Sequence, residues 1–164
     1  MFKVISAILW RKCNQATFDS LNGTSRGQYD IRLTRRAFEG FFKGIPKTNP
    51  TKLGGFDLVV PIQPFTGTPS VPETEITVRY MGDDSQRKDW NIPSQRPDTA
   101  YALWAPGRGV DTTFDIGKRD YALIIRDVDG GFHARWIKDA EFEKLPGSVR
   151  ALMTSAEVGW EECE

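Results

Sequence analysis

The side chains best suited to recognition chemistry lie in two polar segments between predicted strands, residues 22–29 and 83–91. The first holds Asn, Thr, Ser, Arg, Gln and Tyr, and the second adds Lys, Trp and three Asp residues. In a DNA groove, Arg and Lys donate to guanine, Asn and Gln pair with adenine, and Asp accepts from the cytosine amino group. Both segments therefore predict the reading of base edges. The alternative, which composition alone favours, is two solvent-exposed loops whose opposite charges pair with little energetic effect.

Residues that would support catalysis are sparse. None of the nine lysines has Asp or Glu two positions before it, so the acid-x-lysine spacing of common metal-dependent nucleases is absent. The one histidine, His133, alternates along a predicted hairpin strand, which favours a structural role. The two cysteines, Cys13 and Cys163, match neither a zinc nor a disulfide spacing. We therefore expect no catalytic residue, no metal site and no cofactor.

The charge distribution is uneven although the net charge is zero. Residues 1–52 carry ten Lys and Arg against three acids, whereas residues 139–164 carry two bases against seven acids. Thirteen of the 22 basic residues are Arg, the side chain suited to forked contacts with phosphate and guanine. A neutral protein of this kind is able to present one basic face to an anionic partner.

The elements that must position these segments are mostly strands. Alternating apolar residues predict seven of them, and Thr34 predicts the N-cap of a short helix that ends before Gly44. The run Asp129–Gly130–Gly131 predicts a hairpin turn, and one or two short helices follow it. The fold class expected is mostly β (α+β), an open, seven-stranded, barrel-like sheet with two or three short helices. The predicted strands are residues 2–10, 28–33, 56–62, 75–81, 99–104, 121–126 and 132–137, and the apolar run of residues 2–10 also fits a buried helix.

The length of 164 residues predicts one domain, which we assign to residues 1–156. Residues 157–164 are acidic and are expected to be a tail or the start of a linker to a further domain. The chain has no run of eighteen apolar residues and no signal-peptide pattern at its start. Free thiols and the missing leader indicate a cytoplasmic protein without a membrane span.

The order of these elements resembles a known family of DNA-recognition domains. A polar, Gly-broken arm (NGTSRGQYDIRL) leads into a short helix (TRRAFEGFF), and a strand opens into a long second arm (ITVRYMGDDSQRKDWN) before a strand that closes near a tryptophan (AYALW). This pattern, over most of residues 2–137, resembles the pseudobarrel of plant B-three transcription factors. The same domain type occurs in the restriction endonucleases EcoRII (N-terminal part) and BfiI (C-terminal part).

The resemblance implies a bacterial, sequence-specific reader of double-stranded DNA whose two arms enter the major groove. We call residues 22–29 the N-arm and residues 82–98 the C-arm. The domain would be non-catalytic by itself, monomeric when isolated and covalently linked to the nuclease domain of a restriction endonuclease, with CCWGG as its target. The implied base contacts are Ser25, Arg26, Gln28, Tyr29, Asp83, Asp84, Gln86, Arg87, Lys88, Asp89, Trp90 and Asn91. The implied phosphate contacts are Arg35, Arg36, Lys43, Lys47, Lys52, Arg79, Gln95 and Arg96.

Two other interpretations stay open from the sequence. The first is a small nucleic-acid-processing enzyme with an unfamiliar site, whose carboxylates would come from Asp57, Glu73, Glu75 or Asp115. The second is a protein-interaction module that docks a partner through the acidic tail or through Trp90.

Overall fold

The computed structural model describes residues 5–12, 31–64, 74–84, 90–92, 121–137 and 142–163. Within these segments the chain forms nine strands and two helices. In chain order they are β1 (Ile5–Lys12), β2 (Ile31–Leu33), α1 (Arg35–Phe41), β3 (Lys47–Thr48), β4 (Phe56–Pro64), β5 (Thr74–Tyr80), β6 (Trp90–Ile92), β7 (Tyr121–Asp127), β8 (Phe132–Ile137), α2 (Gly147–Thr154) and β9 (Val158–Glu162).

All nine strands belong to one sheet. The strand order is β2-β6-β5-β4-β8-β7-β1-β9. Strand β3 is not part of this order and pairs with β4. Only β4 and β8 run parallel, and every other neighbouring pair is antiparallel. Helix α1, which directly follows β2 at one end of this order, contacts β9 at the other end. The sheet is thus curled into a nearly closed barrel, which confirms the predicted mostly-β, barrel-like fold.

The barrel interior follows from the alternation of apolar side chains along the strands. Leu58, Val60 and Ile62 of β4 face inward, beside Val78 and Ile76 of the paired strand β5. Each such side chain contributes about 1.5–3 kcal/mol when fully buried. Together they form the inner core.

Helix α1 closes one end of this core with aromatic side chains. Phe41 and Phe42 are 0% and 2% exposed, and their rings pack on Phe132 of β8 at centroid distances of 5.6 and 5.8 Å. The helix ends at Phe41, and Gly44 follows it with a φ of 91°. The helix therefore ends where the sequence predicted. Glycine often follows a helix end because it adopts a positive φ without steric cost.

A second apolar cluster lies under α2. Leu123 and Ile125 of β7 alternate with the inward-facing Ile124 and are covered, on the outer side of the sheet, by Phe142 and Met153. Strand β7 is therefore buried on both faces, although the strands around it form an antiparallel sheet.

The predicted hairpin between β7 and β8 is present and is organised by a buried carboxylate. Asp127 is 2% exposed, and its Oδ1 accepts hydrogen bonds of 2.9 Å from the backbone N–H groups of Asp129 and Gly131. Its Oδ2 lies 2.9 Å from Nε2 of His133. The histidine of this chain therefore has a structural partner within the turn.

The strand count differs from the seven predicted. Strands β3 and β6 have only two and three residues, too few for a period-two pattern to be recognised. The expected tail also contains a strand, since Val158–Glu162 pairs with β1 from Ala7↔Glu162 to Arg11↔Val158. Its acidic side chains misled the prediction, because sheet pairing uses backbone groups and edge strands often carry charges. The predicted strand at 99–104 lies outside the described residues.

Within the described segments, no helix has both the length and the apolar character needed to cross a bilayer.

Candidate nucleic-acid interface

A cavity of about 610 Å³ opens where α1, the α1–β3 connection, the β3–β4 turn and the first residues of the C-arm meet. Three cationic side chains, Arg35, Lys43 and Lys47, line it together with the carboxylates of Glu39 and Asp83. The three cations are exposed and come from α1, the residues after it and β3. Three of the predicted phosphate contacts thus lie around the same opening as Asp83, a predicted base contact.

One wall of the cavity is a row of aromatic side chains that crosses three strands. Phe56, Tyr80 and Trp90 are register neighbours on β4, β5 and β6. Tyr80 stacks on Trp90 with a centroid distance of 4.8 Å and an interplanar angle of 11°, and it meets Phe56 edge-on at 5.5 Å. Aromatic pairs of this kind contribute about 0.5–1.5 kcal/mol beyond their buried area. The row therefore ties β6, the strand that lies within the C-arm, to the barrel.

A cation lies against each end of the aromatic row. The Nζ atom of Lys47 is 4.6 Å from the ring centroid of Phe56, and Cζ of Arg35 is 5.9 Å from that of Trp90. Nε of Arg35 also donates to Oε1 of Glu39 at 2.8 Å. Exposed contacts of this kind orient a long side chain without immobilising it. Both cations therefore stay available to an anion at the mouth of the cavity.

The first residues of the C-arm cross the β3–β4 turn. The backbone N–H of Asp84 donates to the carbonyl of Leu53 at 3.0 Å. Gly82 has a φ of 114°, and a Cβ there would lie 2.2 Å from the carbonyl oxygen of Leu53. A Cβ on Gly55 would lie 2.6 Å from the carbonyl oxygen of Tyr80. Two backbones pass this closely only because glycine occupies both positions.

Asp83 and Asp84 follow this crossing and are both exposed. The Tyr80 hydroxyl donates a short hydrogen bond to the Asp83 carboxylate. That hydrogen bond, with partial burial and the negative charge of Asp83, raises the pKa of Tyr80 above its usual value. Of the two predicted base contacts, Asp83 is held toward the cavity, whereas Asp84 is tied through its backbone.

The other predicted phosphate contacts among the described residues divide into two kinds. Arg36 and Lys52 are exposed but do not line the cavity. Arg79 donates from Nε to Oδ1 of Asp57 at 2.9 Å, and this hydrogen bond raises the pKa of Arg79. Asp57 is only 9% exposed and also accepts from Nδ2 of Asn49 at 3.3 Å. Arg79 thus neutralises a nearly buried carboxylate, a role that competes with binding a phosphate.

Neither of the two predicted base contacts on β6 is fully exposed. Asn91 is 4% exposed and lies between Arg32 of β2 and Arg79 of β5 in the strand register. A buried side chain cannot reach a base edge, so the base-reading role predicted for Asn91 does not fit its position. Trp90 is half-buried against Tyr80 and packs the C-arm onto the barrel instead of extending from it.

The carboxylates considered for an unfamiliar catalytic site do not form one within the described residues. Asp57 is engaged by Arg79, and Glu75 is exposed on β5. In the part of the chain that the structure describes, no three His, Cys, Asp or Glu side chains are grouped to hold a metal ion. Glu73 and Asp115 lie outside it.

The remaining predicted contacts also lie outside the described residues. For the N-arm these are Ser25, Arg26, Gln28 and Tyr29, and for the C-arm Gln86, Arg87, Lys88, Asp89, Gln95 and Arg96.

Sequence reasoning missed the aromatic row and the glycine crossing. A signal existed, because Gly55 directly precedes Phe56 and Gly82 follows Tyr80 by two residues. Each glycine therefore lies close to an aromatic residue at the end of a strand. The sequence around the two glycines does not indicate that they approach each other in the fold.

No protein-family model matches this chain, and no curated protein matches it either.

Proposed function

We propose that this chain is a sequence-specific, double-stranded DNA recognition domain that is not catalytic by itself. One observation carries the proposal: the cations Arg35, Lys43 and Lys47 converge on one opening, beside the first residues of the C-arm. Cations that contact phosphates supply most of the affinity of a DNA-binding protein and position it on the duplex. Side chains next to them are then within reach of base edges.

The phosphate-facing surface proposed here consists of α1, the α1–β3 connection and the β3–β4 turn. Arg36 and Lys52 extend the row of exposed cations beyond the cavity mouth. These residues belong to the first 52 positions, where bases exceed acids by seven. A local excess of this size attracts a polyanion although the whole molecule is neutral.

Base recognition is assigned to the two arms. Asp83 and Asp84 are exposed at the start of the C-arm, and a carboxylate accepts a hydrogen bond from the cytosine amino group. The other base contacts are proposed among the remaining predicted residues of the two arms. Asn91 is not one of them, and Trp90 supports the C-arm by packing on the barrel. In the family that the sequence resembles, such a domain serves a restriction endonuclease, so CCWGG is the first target to test.

The test is fluorescence anisotropy of the chain on a CCWGG duplex and on a scrambled duplex, at about 50 and 150 mM salt. The CCWGG duplex is expected to bind more tightly at both salt concentrations. Lys43→Ala and Lys47→Ala should each weaken binding to both duplexes. Each should also reduce, by about one, the slope of the logarithm of the binding constant against the logarithm of the salt concentration. Lys144→Ala is the matched control, since Lys144 is exposed beside α2 and does not line the cavity.

Equal binding of both duplexes would contradict CCWGG as the target and leave a DNA-binding surface with a different target sequence or none. Absence of binding at either salt concentration would overturn the proposal.

A further inference from the structure

The interior of the cavity has a different chemistry from its mouth. Phe42 and Leu58 are 2% and 4% exposed and form its floor with the half-buried Ile45. The row of Phe56, Tyr80 and Trp90 forms one wall. A volume of about 610 Å³ lies within the range of small-molecule sites, which are mostly apolar with a few polar groups. The interior therefore suits a flat, largely apolar ring.

The charged side chains at the mouth of the cavity determine which groups a bound ring must carry. Arg35, Lys43 and Lys47 line it on the basic side, whereas Glu39 and Asp83 supply carboxylate acceptors. Three cations against two carboxylates leave a formal excess of one positive charge. The complementary ligand has an anionic group for the cations and a hydrogen-bond donor for a carboxylate.

We propose that this cavity binds a single nucleotide unit whose base carries an exocyclic amino group. The base occupies the apolar interior, its amino group donates to Asp83 or Glu39, and its phosphate contacts Lys43 or Lys47. Cytosine, adenine and guanine satisfy this requirement, and thymine does not, because it has no amino group. The nucleotide has two possible sources: a free monophosphate, or a nucleotide rotated out of a duplex. The second source rests on the proposed function.

The first experiment is calorimetric titration of the full chain with deoxycytidine monophosphate and with thymidine monophosphate. Deoxycytidine monophosphate should bind about fivefold more tightly or better, as expected for one amino–carboxylate hydrogen bond. Ile45→Trp fills the cavity and should weaken this binding about tenfold or more. Val59→Trp is its control, because Val59 is 38% exposed on the outer side of β4. Lys43→Ala changes only an exposed cation and should still weaken binding several-fold, even if Ile45→Trp does not fold.

The second experiment uses a duplex that contains 2-aminopurine, a fluorescent base with an amino group, with anisotropy recorded in parallel. A rise in 2-aminopurine fluorescence when the duplex binds, reduced in Ile45→Trp but kept in Val59→Trp, supports a nucleotide rotated out of the duplex. Free deoxycytidine monophosphate binding without that rise supports the free ligand.

The two proposals fail in different ways. If no duplex binds but deoxycytidine monophosphate does, the DNA-recognition proposal fails and the nucleotide site stands. If a duplex binds, with neither a fluorescence rise nor monophosphate binding, the nucleotide site is overturned. Equal binding of both monophosphates, or unchanged binding in both Ile45→Trp and Lys43→Ala, overturns it as well.

Discussion

At the scale of single residues, position decides the role of a side chain more than its type does. Arg35 and Arg79 were both predicted to contact phosphate, yet Arg35 lines the cavity mouth while Arg79 pairs with the nearly buried Asp57. Asp83 is exposed and accepts from Tyr80, whereas Asp127 is buried and holds a turn together. Composition identifies such residues as polar but does not distinguish these uses.

The pair of Tyr80 and Asp83 predicts a dependence of stability on alkaline pH. The folded pKa of Tyr80 is raised above 10.0, so the protonated hydroxyl adds stability that is complete below pH 10.0 and is lost as the pH rises through the folded pKa. Tyr80→Phe should be less stable than the wild type at neutral pH, and this difference should shrink above pH 10.0. Urea unfolding at several pH values measures it.

The control for this prediction is Asp83→Ala, which removes the main cause of the shift. Ultraviolet absorbance of tyrosinate should show one tyrosine of this variant titrating at lower pH than in the wild type. Identical titration curves for the two proteins would contradict the assigned hydrogen bond.

At the scale of elements, short connections position the candidate site. The β3–β4 turn closes through a 2.9 Å hydrogen bond from the backbone N–H of Thr51 to the carbonyl of Gly55. The carbonyl of Leu53, which lies in this turn, accepts a hydrogen bond from the backbone N–H of Asp84. The turn is therefore hydrogen-bonded to the first residues of the C-arm, next to Asp83.

Gly82→Ala tests this coupling. The added Cβ would meet the carbonyl oxygen of Leu53 at 2.2 Å, and φ is 114°, so we expect both strain and a displaced C-arm. Gly130→Ala is a matched control, because φ is 87° there but no atom lies within 4 Å of the added Cβ. Gly130→Ala should cost about 1–2 kcal/mol of unfolding free energy. Gly82→Ala should cost about 1–3 kcal/mol more.

Urea unfolding measures both variants, and anisotropy measures DNA binding below the unfolding transition. Equal losses of stability in the two variants would contradict the close crossing. Under the proposed function, only Gly82→Ala should also weaken binding to the duplex.

At the scale of the whole molecule, closure of the barrel depends on contacts between elements far apart in the sequence. Nη1 of Arg126 donates to the carbonyl of Phe41 at the end of α1, at 3.0 Å. Its Nε donates to Oγ of Ser6 at 3.3 Å, and its Nη2 lies 3.9 Å from Oε1 of Glu162. One side chain on β7 thus connects α1, β1 and β9, where the two ends of the sheet approach each other.

Arg126→Ala should lower the free energy of unfolding by about 1.5–3 kcal/mol, the range for charged hydrogen bonds at partly buried sites. Arg126→Lys should recover only part of this loss, because an ammonium cannot reach three partners in the planar arrangement of a guanidinium. Urea unfolding at neutral pH measures both variants. A change below about 0.5 kcal/mol in Arg126→Ala, the size typical of surface positions, would contradict the closing role.

Much of the fold was predictable because its signals are local. Alternation along β4, β5 and β8 and the apolar run of β7 identified strands, and Asp129–Gly130–Gly131 identified the hairpin. Helix α1 begins at Arg35, directly after the predicted cap at Thr34. Arg35, Lys43 and Lys47, which the resemblance implied as phosphate contacts, lie at one opening with Asp83, and their role there stays a prediction.

The sequence by itself determined which residues are apolar on which face of each strand, where the chain turns and where basic residues are concentrated. Only the tertiary structure decided that β9 pairs with β1, that β4 runs parallel to β8, and that Gly82 crosses the turn at Leu53. It also decided that Asn91 is buried. The physical reason is that periodicity reflects the immediate neighbours of each residue. Strand pairing and burial arise instead from backbone hydrogen bonds and closure of the barrel, which join positions with no local relation to each other.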